Sequence, residues 1–182
     1  GLAPGVAFGD VRMQNAPWGQ RPDWLNVKEI QIEVSLLPLL SGILAFKSIT
    51  LLQPDILIES EADGRTNLAF EADAPGRDRA SKIPLRSVTV REILIQNGRL
   101  RYRGARLQHP LELGLDRFRW HATDIHSPVE VDAGGRLQKH RFHINGHITN
   151  PMAVWQMDDR SLALDLTLRA LDCDLSLVGK IE

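Results

Sequence analysis

Residues 161–181 read SLALDLTLRALDCDLSLVGKI, and that stretch decides the fold. Leu162, Leu164, Leu166 and Leu168 alternate with Ala163, Asp165, Thr167 and Arg169, and after a short break Leu175, Leu177 and Gly179 resume the beat. Period two puts alternate residues on opposite sides of an extended chain, so each run predicts a strand that is apolar on one face and polar on the other. The same pattern recurs upstream. Ile30, Ile32 and Val34 alternate with Gln31 and Glu33, and Ile56 and Ile58 are bracketed by Asp55 and Glu59. Leu100 and Tyr102 sit between Arg99, Arg101 and Arg103, and Leu111, Leu113 and Leu115 follow in the same manner.

Turn residues fall between the runs, at Ala62-Asp63-Gly64, Gln96-Asn97-Gly98, Ala133-Gly134-Gly135 and Thr149-Asn150-Pro151. Asn97-Gly98 predicts a tight hairpin, because such a turn needs positive φ. Residues 72–81, rich in Asp, Arg, Pro and Gly, predict a loop between two halves of a single domain spanning 1–182. Helix is expected in one place, 35–44, where Ser35 could cap the leucine-rich run SLLPLLSGIL, with a weaker, irregular segment at Pro151–Asp158. The fold class is therefore mainly β, with roughly ten strands in a curled antiparallel sheet. Such a sheet must bury its apolar face by closing into a barrel, by packing as a sandwich, or by curling into an open β-groove lined for a ligand; periodicity alone favours the closed forms. The leucine-rich run then reads as a plug for one end of the sheet, since it lacks the basic face of an interfacial helix.

Composition narrows the function. Of 182 residues, 43% are hydrophobic, and 22 Lys plus Arg balance 23 Asp plus Glu. That near-neutral balance provides no field to recruit nucleic acid. The longest apolar run, Leu36 to Phe46, is interrupted and about half the ~20 residues that span a bilayer. The chain opens on Gly1-Leu2-Ala3-Pro4, which suggests an excised piece whose targeting segment lies upstream. Cys173 has no internal disulfide partner and, in register with Leu175 and Leu177, reads as a small core side chain.

No catalytic constellation emerges. The string G-x-S-x-G, a Walker loop, G-x-G-x-x-G and H-E-x-x-H are all missing from the sequence. His143 and His147 would lie ~13 Å apart on one strand, too far to share an ion. Glu59 and Glu61, like Asp158 and Asp159, read as solvated carboxylates, and Arg99, Arg101 and Arg103 as an outward basic stripe. The expectation is a protein that is not an enzyme, with no metal and no cofactor.

Longer strings add a resemblance. Residues 15–70 read NAPWGQRPDWLNVKEIQIEVSLLPLLSGILAFKSITLLQPDILIESEADGRTNLAF. This resembles the N-terminal region of the AsmA family of Gram-negative envelope proteins, where a strand leads into "v-L-L-P-L-L-s-G", then "P-d-i-l-l-E", then "d-G-x-x-N-w-x-F". VTVREILIQNGRLRYR and GRLQKHRFHINGHITNP are similar to later family segments, whereas Leu68-Ala69 stands where Trp is common. The resemblance implies a periplasmic body anchored in the inner membrane by a segment outside this chain, forming an elongated β-groove for phospholipid transport and outer-membrane biogenesis. It implies phospholipid or another acyl-chain lipid as partner, and membranes at the ends of the full-length protein. Candidate groove residues are Ile30, Ile32, Ile56 and Ile58 from the first half, with Leu68 and Phe70 after them. Leu100, Tyr102 and Leu113 continue the lining, and Leu164, Leu166, Leu175 and Leu177 complete it. The rival is a closed module that assists outer-membrane protein assembly without lipid. A fragment of this kind could also dimerise through an unpaired edge strand.

Overall fold

The computed structural model describes residues 4–68, 87–124, 127–149, 162–171 and 173–181. Phe70, the 72–81 loop and Pro151–Asp158 lie outside them. The chain forms one eleven-stranded sheet that does not close into a barrel. Its strands are β1 (Gly5–Gln14), β2 (Asp23–Ser35), β3 (Ile43–Leu52), β4 (Asp55–Ser60), β5 (Ser87–Val90), β6 (Glu92–Gly104), β7 (Leu111–His121), β8 (Val129–Leu137), β9 (His140–Ile148), β10 (Leu162–Ala170) and β11 (Cys173–Ile181).

The sheet is mixed, and the parallel part has one cause. β3 and β4 are a single line interrupted at Gln53-Pro54, and β5 and β6 are a second line interrupted at Arg91. The pairs Ile43–Ser87, Ile49–Ile93 and Asp55–Arg99 keep one constant offset along both lines, which run parallel. All other neighbours are antiparallel. A parallel pair needs a long crossover, and residues 61–86 between β4 and β5 supply it. The expected curled antiparallel sheet is thus two antiparallel halves joined at one parallel seam.

Two expected turns are not turns. Asn97-Gly98 lies inside the continuous strand β6, where its neighbour changes from β3 to β4, and Asn97 carries a φ of 53°. Ala133-Gly134-Gly135 lies inside β8, opposite a bulge in β7 between Leu115 and Arg117. Both segments supply the unusual backbone their residues encode, but they spend it on irregularities within strands. Ala62-Asp63-Gly64 does turn the chain, with the Gly64 amide donating to the Glu61 carbonyl.

The helix α1 is shorter than expected, Leu36–Leu39, and Ser35 makes no side-chain cap. It is not a plug. None of its residues is buried, and Leu37 and Leu40 are 73% and 87% exposed at the tip between β2 and β3.

Candidate functional site

Directly opposed residues of neighbouring strands project to the same side of a sheet, so the pairing registers define rows across it. One row runs Phe8, Ile30, Leu51, Ile95 and Phe118 over the first five lines. It continues through Ala133, Ile144, Leu168 and Leu175 to the far edge. The next row holds Val6, Ile32, Ile49, Ile93 and Trp120, then Val131, Gly146, Leu166 and Leu177. A third contains Val129, Ile148, Leu164 and Gly179. No charged or amide side chain interrupts any of them. The intervening rows carry the polar groups, such as Arg119, Asp132, Asn145, Thr167 and Ser176, with Leu94 an apolar exception.

Toward the other strand ends the phase of the alternation changes. The apolar row there is Met13, Leu25, Ile56, Leu100, Leu113 and Leu137, followed by Ile58, Tyr102 and Leu111. A Cβ placed on Gly98 would sit 3.0 Å from Ile95 Cγ2, 3.3 Å from Pro54 Cγ and 3.6 Å from Leu115 Cβ. Ile95 and Gly98, three residues apart, therefore point to one side. The two sets of rows form one continuous apolar face.

Eleven of the expected groove residues lie on this face: Ile30, Ile32, Ile56, Ile58, Leu100, Tyr102, Leu113, Leu164, Leu166, Leu175 and Leu177. Leu68 does not belong to a strand; it follows the short bridge at Thr66 in a turn. Phe70 is not among the described residues. Sequence reading missed Phe8, Leu51, Ile95, Phe118, Trp120 and Ile144, which stand in the same rows.

Among the described residues most of this face is half-buried, and its two edge strands are the most exposed part. Among the described residues the buried hydrophobic side chains are Val27, Leu57, Ala122, Val129 and Ala133, and Leu57 belongs to the opposite side. Phe8 is 50% exposed and Leu177 58%. At ~4.8 Å per line, nine lines extend ~38 Å, and two full rows at two residues' spacing with the third row over four lines make that strip roughly 600 Å². A contiguous apolar strip of this size stands at the upper end of the ~300–600 Å² that the largest patch on a soluble monomer occupies, and such patches are often functional. Cys173 pairs with Ala170 on the same side and is exposed, with no described residue packed on that edge.

The polar face has its own structure. The loop between β1 and β2 folds onto β4, and Asn15, Glu59 and Asn67 are its buried pins, each no more than 7% exposed. The Asn15 amide donates to Glu59 Oε2 at 2.9 Å, and the Gln20 backbone N–H donates to the same oxygen at 3.1 Å. Asn67 accepts from the Glu59 backbone N–H at 2.8 Å and donates to the Leu57 carbonyl and to Asn15 Oδ1. Glu59 is thus a structural clamp and not the solvated carboxylate expected. Asp55 is partly buried, which alone would raise its pKa, but hydrogen bonds and charge from Arg21 and Arg101 outweigh this and hold it below the usual carboxylate range. His143 and His147 lie on this face too, beside Asp132 and Glu130 at 3.3 Å and 4.0 Å. Among the described residues no three His, Cys, Asp or Glu side chains converge to hold a metal.

The arrangement offers a long apolar surface without a polar focus, suited to a ligand that is itself long and apolar. No helix among the described residues is long and apolar enough to cross a membrane. No curated protein sequence matches the chain. The model of the AsmA family matches residues 3–171, which points to a role in envelope biogenesis or lipid transport.

Proposed function

The chain belongs to the AsmA family, and we propose on that premise that its open apolar face shields lipid acyl chains during phospholipid transport for outer-membrane biogenesis. In this reading the piece stands in the periplasm, in a protein anchored in the inner membrane by a segment outside this chain, and performs no covalent chemistry.

The observation that carries the reading is the unbroken apolar rows from β1 to β11, whose side chains at both edge strands are at least half exposed. Drawing an acyl chain of about fourteen methylenes into water costs ~11 kcal/mol at ~0.8 kcal/mol each. A carrier must keep the chain dry over its whole length. Rows of Ile, Leu, Val and Phe do so without a specific pocket, and similar side chains at successive lines let a lipid slide with small barriers. The clamp at Glu59 and the ion pairs of Asp55 act on the other face, where they hold the loop against β4 and leave the apolar face clear.

Incubation of the purified chain with phospholipid vesicles, followed by native mass spectrometry, tests this. Bound phospholipid is expected. A lipid-free protein that stays folded would instead support the closed assembly module.

A further inference from the structure

Five strand lines change the phase of their alternation at the same level. Asp10 has a φ of 51°, Gln53 of 50° and Asn97 of 53°, values that non-glycine residues adopt rarely within strands. The registers bring them onto one line: Asp10 falls opposite Lys28, Lys28 opposite Gln53, Gln53 beside Asn97, and Asn97 opposite the bulge at Asp116. On both sides of that line apolar residues are three apart instead of two, as in Phe8/Val11, Val27/Ile30 and Leu115/Phe118. Each strand thus carries one extra residue at the same height, and neighbours preserve their pairing because all of them carry it. The defect is a crease running across the sheet.

The contacts at Gly98 are those of a crease bent toward the apolar face. In a straight strand, residues three apart project to opposite sides, whereas the Cβ position of Gly98 meets the Ile95 and Pro54 side chains on one side. Side chains converge on the concave side of a bend. Gly98 leaves the bed without bulk at the tightest point.

Resting on the lipid reading above, we propose that this crease is the bed of the trough, and that a bound acyl chain lies along it, crossing the strands from β1 to β7. A surface bent about one line offers a polymethylene chain one direction without curvature, and that direction is the line of the bend. A chain lying along a strand would have to kink at the crease. The five lines that carry the crease are ~19 Å across, more than half of the ~30 Å hydrocarbon core in which two acyl chains meet end to end, so the crease has room for one chain.

The test is photocrosslinking of the purified chain to a phosphatidylethanolamine with a mid-chain diazirine, with labelled peptides read by mass spectrometry. Labelling is expected on several strands at crease height, at Ile30, Ile95 and Phe118, and several-fold weaker at Tyr102 near the end of β6. Labelling spread along β6 from Ile93 to Tyr102, with Ile30 unlabelled, would overturn the direction while leaving the lipid reading intact. Failure of the lipid to bind at all, seen as the missing complex in native mass spectrometry, would overturn both.

Discussion

Phe8 and Ala7 are adjacent in β1, an edge strand, and point to opposite faces: Phe8 opposes Ile30 and Ala7 opposes Gln31. Substituting Asp at each therefore separates the apolar face from everything else about the strand. Phe8 is 50% exposed, so Phe8→Asp forfeits about half of the ~2 kcal/mol that full burial of such a side chain contributes, and stability falls by about 1 kcal/mol. The effect on lipid is larger. An acyl chain over the crease loses its contact with the ring and must also desolvate a carboxylate, whose effective penalty is several kcal/mol when no route to water exists. On an edge strand part of that penalty is relieved, leaving about 3 kcal/mol, or a hundredfold weaker retention at 1.4 kcal/mol per decade. Ala7→Asp is expected to leave retention unchanged. The assay is a titration with fluorescent phospholipid, run beside urea denaturation to confirm that both variants are folded. Equal retention by the two variants would refute the assignment of the apolar face as the lipid surface.

Other outcomes follow from the crease and from the polar face. Asn97→Gly is expected to change stability by a few tenths of a kcal/mol, whereas Asn97→Val, which places a β-branched side chain at positive φ, costs at least ~1–2 kcal/mol in urea denaturation; equal midpoints would mean the backbone at Asn97 is unstrained. Asn67→Ala strips partners from the Glu59 N–H and the Leu57 carbonyl, both within the buried clamp. A loss of ~2–4 kcal/mol with an unchanged denaturant slope is expected, and a loss below ~0.5 kcal/mol would show the clamp to be dispensable. Because the folded-state pKa of Asp55 is depressed, its contribution is present above the unfolded value near 3.9 and fades as pH falls through the lower folded value. Asp55→Asn is therefore expected to cost of order 1 kcal/mol at pH 7, with the gap to the parent closing below about pH 4; a gap that persists in acid would contradict the ion-pair origin.

Much of this architecture was legible in the sequence because a half-buried strand writes its two faces directly into alternate residues. The runs around Ile32, Ile56, Leu100, Leu113 and Leu166 all predicted the face on which those side chains stand. Pairing was less legible. The seam between the β3–β4 and β5–β6 lines is parallel, and a parallel register is set by contacts between residues far apart in the chain, which leave no local mark. Asn97-Gly98 and Gly134-Gly135 misled because positive φ and a missing Cβ serve a hairpin turn and a strand irregularity equally well. What separates the two is the phase of the flanking alternation. Ile93 and Ile95 sit at odd positions and Leu100 and Tyr102 at even ones, a shift that β1, β2 and β7 repeat at the same height.

The clamp was hidden for a different reason. Glu59 alternates with Ile56 and Ile58 as any outward carboxylate would, and only the loop carrying Asn15 and Gln20, brought over β4 by the tertiary fold, buries it. Leu40 and Cys173 erred in the opposite direction: both are apolar and both are exposed. Their patterns predicted burial, and burial needs a second layer, which is lacking among the described residues.

Trp120 stands in the apolar row between Ile93 and Val131, which makes it a reporter on the proposed working surface. Tryptophan fluorescence of the lipid-loaded protein, measured with phospholipid brominated along its acyl chains, tests that surface most directly. Strong quenching in the parent chain, largely lost in Trp120→Phe, is the expected result. Bound brominated lipid that leaves the fluorescence unquenched, or quenching that survives Trp120→Phe undiminished, would contradict the placement of acyl chains on this face.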